Sequence, residues 1–240
     1  MIKEIDISSM SDKEIEETKK EAQILQKLDH PNIIKCKEFF FSRKPPSTLN
    51  IVTEYADGGD LGEKIKNQPK KELFSESVIL DYFTQICLSI QHIHEKHILH
   101  RDLKSQNIFL TKNNLVKLGD FGIAKCLQNT YQKAITMVGT PYYLSPEIVQ
   151  GKHYSFKSDI WSLGVMLYEM MALRMPFDAT NLPMLSLKIM KGQYAPLNSG
   201  HFSKDILKLV DSLLNVDPNR RPSINEILSK CYIDIIYNVM

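Results

Sequence analysis

Residues 100–122 read HRDLKSQNIFLTKNNLVKLGDFG, and this stretch decides how the rest of the chain is read. A carboxylate, Asp102, stands five residues before a carboxamide, Asn107, and a second carboxylate, Asp120, follows thirteen residues later. Between them, Ile108 to Leu110 and Val116 to Leu118 are two short apolar runs separated by Lys112, Asn113 and Asn114, the pattern of a hairpin. Such a hairpin brings Asn107 and Asp120 side by side. Their oxygens suit a hard cation such as Mg2+, which takes few protein ligands and shares phosphate oxygens. Asp102 and Lys104 fall on the tight loop before the hairpin.

Working outward, 240 residues at 43% hydrophobic and 24% charged can bury a core as one large domain or two small lobes. A net charge of +2 supplies no global field, so neither nucleic acid nor a membrane surface is expected as a partner. Cys36, Cys87, Cys126 and Cys231 form no CxxC pair, which points away from a zinc site or a disulfide framework. With no secretory leader and no apolar run long enough to span a bilayer, a reducing, cytoplasmic compartment is expected. His92, His94, His97 and His100 cluster in sequence, but no carboxylate or thiolate completes them at ligand spacing.

The opening MIKEIDI alternates like a strand. Ser11 with Glu14 forms a capping box, and Ile15, Thr18, Ala22 and Leu25 share one face of the helix it starts, with Glu21 beside that stripe. DHPNII ends this helix at a proline turn and leads into strands Lys35 to Phe41 and Thr48 to Thr53. Ser75 caps a helix running to about Lys96, with Ile79, Phe83, Ile86, Ile90 and Ile93 along its buried face. Ser158 to Ala172 is apolar almost all round, as a helix at the centre of a domain must be. Helices near Leu182 to Lys191 and Ser203 to Leu214 follow, and Ser223 with Glu226 caps the last one.

HRDLKxxN followed by DFG resembles the catalytic core of the eukaryotic protein kinases. Some ten fixed positions match by chance less than roughly once in a thousand million on ordinary composition. The resemblance covers essentially the whole chain. It implies an α+β, bilobal fold, with residues 1–57 as a truncated, β-rich N-lobe and residues 58–240 as a mainly helical C-lobe. It further implies that Asp102 accepts or orients the acceptor proton, Lys104 neutralises the transferred phosphoryl group, and Asn107 and Asp120 hold metal ions. Lys3 becomes the strand lysine that grips the phosphates, and Glu21 the helix carboxylate that holds it. Thr53 takes the gatekeeper position, Glu54, Tyr55 and Ala56 the hinge, Asp60 the ribose-binding acid, and Phe109 the residue beneath the adenine. Thr136 lies where the family is often phosphorylated, with Arg101 to meet that phosphate. Thr140 resembles the threonine that contacts the catalytic Asp. Glu147 is expected to pair with Arg221, and Asp159 to anchor the HRD loop.

Lys two residues after the catalytic Asp is similar to the serine/threonine branch, and Ile123 after DFG leans toward threonine acceptors. MIKEIDIS, HPNII, LKSQNIFL, KLGDFGIAK and VGTPYYLSPEI look most like the NIMA-related (NEK) kinases, whose members act in mitosis, centrosomes and cilia. The implied activity is ATP- and Mg2+-dependent phosphorylation of protein substrates at Ser or Thr. One departure stands out: the family places a Gly-rich hairpin ahead of the strand lysine, and none precedes Lys3. The expectation is a sequence that begins inside a longer one, with Met1 where the adenine-roof alanine usually lies. A pseudokinase or fragment acting as a binding module is the alternative.

Overall fold

The computed structural model describes residues 1–42, 47–69, 71–119, 141–197 and 200–230, apart from the side chains of Glu21 and Lys230. Strands β1 (Ile2–Asp6), β2 (Cys36–Ser42) and β3 (Thr48–Thr53) form one antiparallel sheet in the order β1-β3-β2. The register places Lys3 opposite Ile51 and Phe39 on its other side, with Ile5, Leu49 and Phe41 in the next row of the same face. Because strand side chains alternate, this row set is the apolar one, and α1 (Asp12–Lys27) covers it. Ile7, Ala22, Cys36, Leu49 and Ile51 form the resulting small core. Helix α1 starts at the expected box: the Ser11 amide donates to Glu14 Oε2 at 2.7 Å, and the Glu14 amide returns to Ser11 Oγ at 3.4 Å. Its stripe is buried most deeply at Thr18 and Ala22.

The chain leaves β3 through a turn that only glycine permits. A β-carbon on Gly58 would stand 2.6 Å from the Thr111 carbonyl oxygen, and Gly59 has φ +77°. That close approach lets the Gly58 amide donate to Leu110 O at 2.7 Å and the Leu110 amide donate to Gly59 O at 2.9 Å. Helix α2 (Leu61–Asn67) begins immediately, capped by the Asp60 carboxylate, which accepts from the Glu63 amide at 2.9 Å. Asp60, expected at a ligand, thus also starts a helix that the sequence pattern does not announce.

Helix α3 (Glu76–Glu95) and the hairpin of β4 (Ile108–Leu110) and β5 (Val116–Leu118) pack together, with Asn114 in the left-handed region at φ 59° closing the turn. After the short α4 (Pro146–Val149), α5 (Phe156–Ala172) is buried without a break from Ser158 to Met171. Helices α6 (Leu182–Lys191), α7 (Lys204–Leu213) and α8 (Ile224–Lys230) complete the body. Trp161 stacks on Phe177 at 5.5 Å, and α5 crosses α7 where Gly164 meets Leu213. A β-carbon on Gly164 would lie 2.7 Å from Leu213 Cβ. Gly164→Ala is therefore expected to destabilise the chain by about 1–2 kcal/mol in urea denaturation, because overpacking outweighs the gain in helix propensity.

The expected Glu147–Arg221 pair is a buried fork, with Nη1 to Oε1 at 2.8 Å and Nη2 to Oε2 at 2.7 Å. No helix among the described residues is long and apolar enough to cross a membrane.

Candidate active site

The loop from His100 to Asn107 is held from beneath by one buried carboxylate. Asp159, near the start of α5, accepts from the His100 amide at 3.1 Å and the Arg101 amide at 3.3 Å, and also bonds His94 Nε2 at 2.9 Å. Tyr154 donates its hydroxyl to the same carboxylate. Arg101 sits at φ 66°, a region that costs a non-glycine residue energy, and Asp159 offsets that strain. His100 is fully buried and bonds at both ring nitrogens. Its Nδ1 accepts from the Asp102 amide at 3.3 Å, so Nε2 carries the hydrogen and donates to Gly119 O at 3.2 Å. One imidazole thus ties the loop to the residue directly before Asp120.

Asp102, Lys104 and Asn107 converge at the end of this loop. Asn107 Nδ2 donates to Asp102 O at 2.7 Å and to Asp102 Oδ2 at 3.1 Å, and Lys104 Nζ lies 3.2 Å from the same carboxylate oxygen. The Asp102 side chain keeps 19% exposure, so it is restrained and still open to an incoming group. With the Asn107 amide nitrogen committed to Asp102, its Oδ1 remains as a neutral oxygen donor of the type a hard cation accepts. The Gly119 amide donates to Asn107 O at 3.0 Å, which joins β5's end to the same loop.

A cleft of about 150 Å³ lies alongside, lined by Met1, Ile34, Glu54, Tyr55, Ala56, Gly59, Asp60 and Phe109. Its walls are mostly apolar, and among the described residues the Ala56 amide has no hydrogen-bond partner. Phe109 is positioned by Gly119, where a β-carbon would stand 2.7 Å from Phe109 Cε2. Glu54 is fixed from both sides: its Oε1 accepts from Lys117 Nζ at 2.8 Å and from the Lys35 amide at 2.9 Å. Burial pushes the Glu54 carboxyl up, but those bonds and the Lys117 charge outweigh it and hold the group below its ordinary range.

The structure therefore brings together Asp102, Lys104 and Asn107 at the loop, and Glu54, Ala56, Asp60 and Phe109 at the cleft. Lys3 lies on β1, on the face covered by α1, and Glu21 lies in α1 with its side chain outside the described residues. Thr53 ends β3 outside the cleft lining, its Oγ1 buried without a hydrogen-bond partner among the described residues. Asp120, Thr136 and Thr140 lie outside the described residues. Ile34 and Lys117 are site residues that the sequence does not announce. Ile34 is tied to the site through Leu118, whose carbonyl accepts from the Ile34 amide at 2.8 Å. Lys117 sits in the alternating run Val116, Lys117, Leu118, whose central polar residue was the available signal.

Known proteins resemble this chain over most of its length. The family described as protein kinase domain matches residues 1–233. The serine/threonine-protein kinase Nek1 of Mus musculus is 51% identical over 233 residues, covering 97% of this chain and 19% of the relative. The serine/threonine-protein kinase Nek5 of Homo sapiens is 50% identical over 235 residues, covering 98% of this chain and 32% of the relative. The probable serine/threonine-protein kinase nek3 of Dictyostelium discoideum is 47% identical over 239 residues, covering 98% of this chain and 21% of the relative. The chain thus spans a third or less of the length of these relatives. A kinase domain implies, in general terms, use of ATP and a divalent metal. With a buried aspartate under an HRD loop, an apolar cleft beside it and these relatives, the chain belongs to the protein kinase domain family, among the NEK serine/threonine kinases.

Proposed function

We propose that this chain transfers the γ-phosphoryl group of ATP to serine or threonine hydroxyls of protein substrates, within a small lobe of residues 1–57 and a large lobe of residues 58–240. The observation that carries this reading is the convergence of Asp102, Lys104 and Asn107 beside the apolar cleft. The apolar lining at Met1, Ile34 and Phe109 suits a purine, and the hinge at Glu54 to Ala56 offers backbone groups to its edge. Asp60 lines the same cleft, and one of its carboxylate oxygens caps α2, which leaves the other for a ribose hydroxyl. Asp102 receives or orients the acceptor hydroxyl's proton, and Lys104 faces the charge that builds on the transferred group. Mg2+, when bound, would neutralise phosphate oxygens and draw on the Asn107 carboxamide and the Asp120 carboxylate. Thr53, Lys3 and Glu21 are assigned to the back of the nucleotide site, and Arg101, Thr136 and Thr140 to control of the segment between Asp120 and Glu147.

The test is incubation with ATP, Mg2+ and β-casein, followed by acid hydrolysis of the acceptor. Label in phosphoserine or phosphothreonine is expected. Nucleotide binding without label would replace this reading with that of a binding module, and label only in phosphotyrosine would remove the Ser/Thr assignment. A second prediction concerns the cleft floor. Gly119→Ala forces Phe109 to shift, and ATP affinity is expected to fall about five-fold or more with the melting point little changed, as read by calorimetric titration.

A further inference from the structure

Of the histidines spaced along the end of α3, His94 bonds Asp159, but His92 meets a ring from a distant turn. His30, in the turn after α1, lies 5.1 Å from His92 between ring centres, at an interplanar angle of 38°. His30 Nδ1 accepts from the Asn32 amide at 3.1 Å, so in the neutral ring Nε2 carries the hydrogen. His92 Nε2 is buried without a hydrogen-bond partner among the described residues. The charged groups around the pair are Asp29 on the turn, Glu95 and Lys96 at the end of α3, and Lys117 on β5. Asp29 is committed to Lys35 at 2.6 Å, and Lys117 to Glu54 at 2.8 Å. Burial, the His92 ring and the Lys117 charge hold His30 below the ordinary histidine value of 6.5. Burial and Lys96 do the same to His92 and outweigh Glu95 and Asp29. No group of three metal-binding side chains occurs among the described residues, so the chemistry open to the pair is protonation.

The turn that carries His30 joins α1 to the hairpin. Asn32 is 5% exposed, and its side chain donates to Val116 O at 3.1 Å and to Gln85 Oε1 on α3 at 3.0 Å. The Leu118 amide donates to Asn32 O, and the Ile34 amide to Leu118 O, both at 2.8 Å. Ile34 then lines the cleft. A proton on His30 Nδ1 would set an N–H against the Asn32 N–H, and charge on both rings would set like charges face to face. We propose that His30 and His92 form an acid-sensitive latch: neutral, the rings pack and the Asn32 amide is held, and on acidification the turn loosens against β5 and α3. The latch stands on the fold alone and needs no phosphoryl transfer.

Stability from such histidines is whole above 6.5 and is lost as pH falls through their lower folded values. Nuclear magnetic resonance of the whole chain, titrated from pH 8 to pH 5, tests the first step. The His30 ring proton and the Asn32 amide should shift together with one midpoint below 6.5. A midpoint at 6.5 or above, or an Asn32 amide that does not follow, overturns the proposal. Amide exchange tests the second step, expressed as protection factors so that the intrinsic pH dependence drops out. Protection at Asn32, Ile34 and Leu118 is expected to fall about ten-fold between pH 7.5 and pH 5, and hardly at all in His30→Asn, which keeps an acceptor for the Asn32 amide but cannot titrate. An equal fall in wild type and variant, or none in the wild type, overturns the latch. His92→Phe keeps a ring and removes the second charge, so it should move the His30 midpoint toward 6.5; an unmoved midpoint overturns the pairing.

Discussion

Asp102→Asn is expected to lower the turnover of phosphoryl transfer by between about 100-fold and 10,000-fold while leaving the fold and ATP affinity as they are. The carboxamide is nearly isosteric with the carboxylate, and the Asn107 bond to the residue 102 carbonyl at 2.7 Å is a backbone contact that survives the change. What is lost is the negative charge that takes or orients a proton. Lys104, 3.2 Å from that carboxylate, loses its ion partner as well, but the pair is partly exposed and contributes little to stability. Initial rates on β-casein, with a thermal melt and an ATP titration of the same samples, check the three parts together. A variant that turns over like the wild type would exclude Asp102 from the chemistry.

Arg221→Ala is expected to cost about 3–5 kcal/mol, much of the stability a domain of this kind has. The guanidinium is 1% exposed and bonds Glu147 twice. It also donates from Nε to Asn215 O at 2.7 Å, from Nη1 to Lys157 O at 2.7 Å and from Nη2 to Val216 O at 3.3 Å. Its plane lies over Trp161 at 5.0 Å. Truncation strands a buried carboxylate and three carbonyls. The same pair sets an acid limit. Burial pushes the Glu147 carboxyl up, but the Arg221 bonds and charge, with the Ser158 hydroxyl, outweigh it and hold the group below 4.5. A depressed carboxylate contributes stability that is present above its unfolded pKa and is lost as pH falls through the folded one. Urea midpoints measured from pH 7 down to pH 3 should therefore decline at the acid end, and in Glu147→Gln that component should vanish.

Short-range signals carried most of the fold. Ser11 with Glu14, Ser75, and Ser223 with Glu226 cap the helices they were expected to cap, because a cap and its partner lie within one turn. Strand β3 and the hairpin turning at Asn114 match their expected bounds, since alternation and turn residues are local properties. Helix α2 escaped because it is only seven residues long and its cap, Asp60, had been read as a ligand. The catalytic loop was legible through its fixed spacing, and Asp159 and Arg221 through their places in the family pattern. The supports that were missed are pairs distant in sequence. Lys117 finds Glu54 across 63 residues, and Ser105 finds Glu169 across 64. Single polar residues in apolar elements were the only hint of them. Glu169 within YEMMA is such a residue, since a carboxylate on a buried helix face must have donors somewhere.

One nucleotide is expected to span from the apolar cleft to the loop bearing Asp102. A crystal structure of this chain with Mg2+ and a non-hydrolysable ATP analogue measures that directly. The predicted result has the adenine against Phe109, its edge on the backbone of Glu54 to Ala56, and the terminal phosphate beside Asn107 and Asp102. An analogue bound elsewhere, or one whose phosphates point away from Asp102, would contradict it.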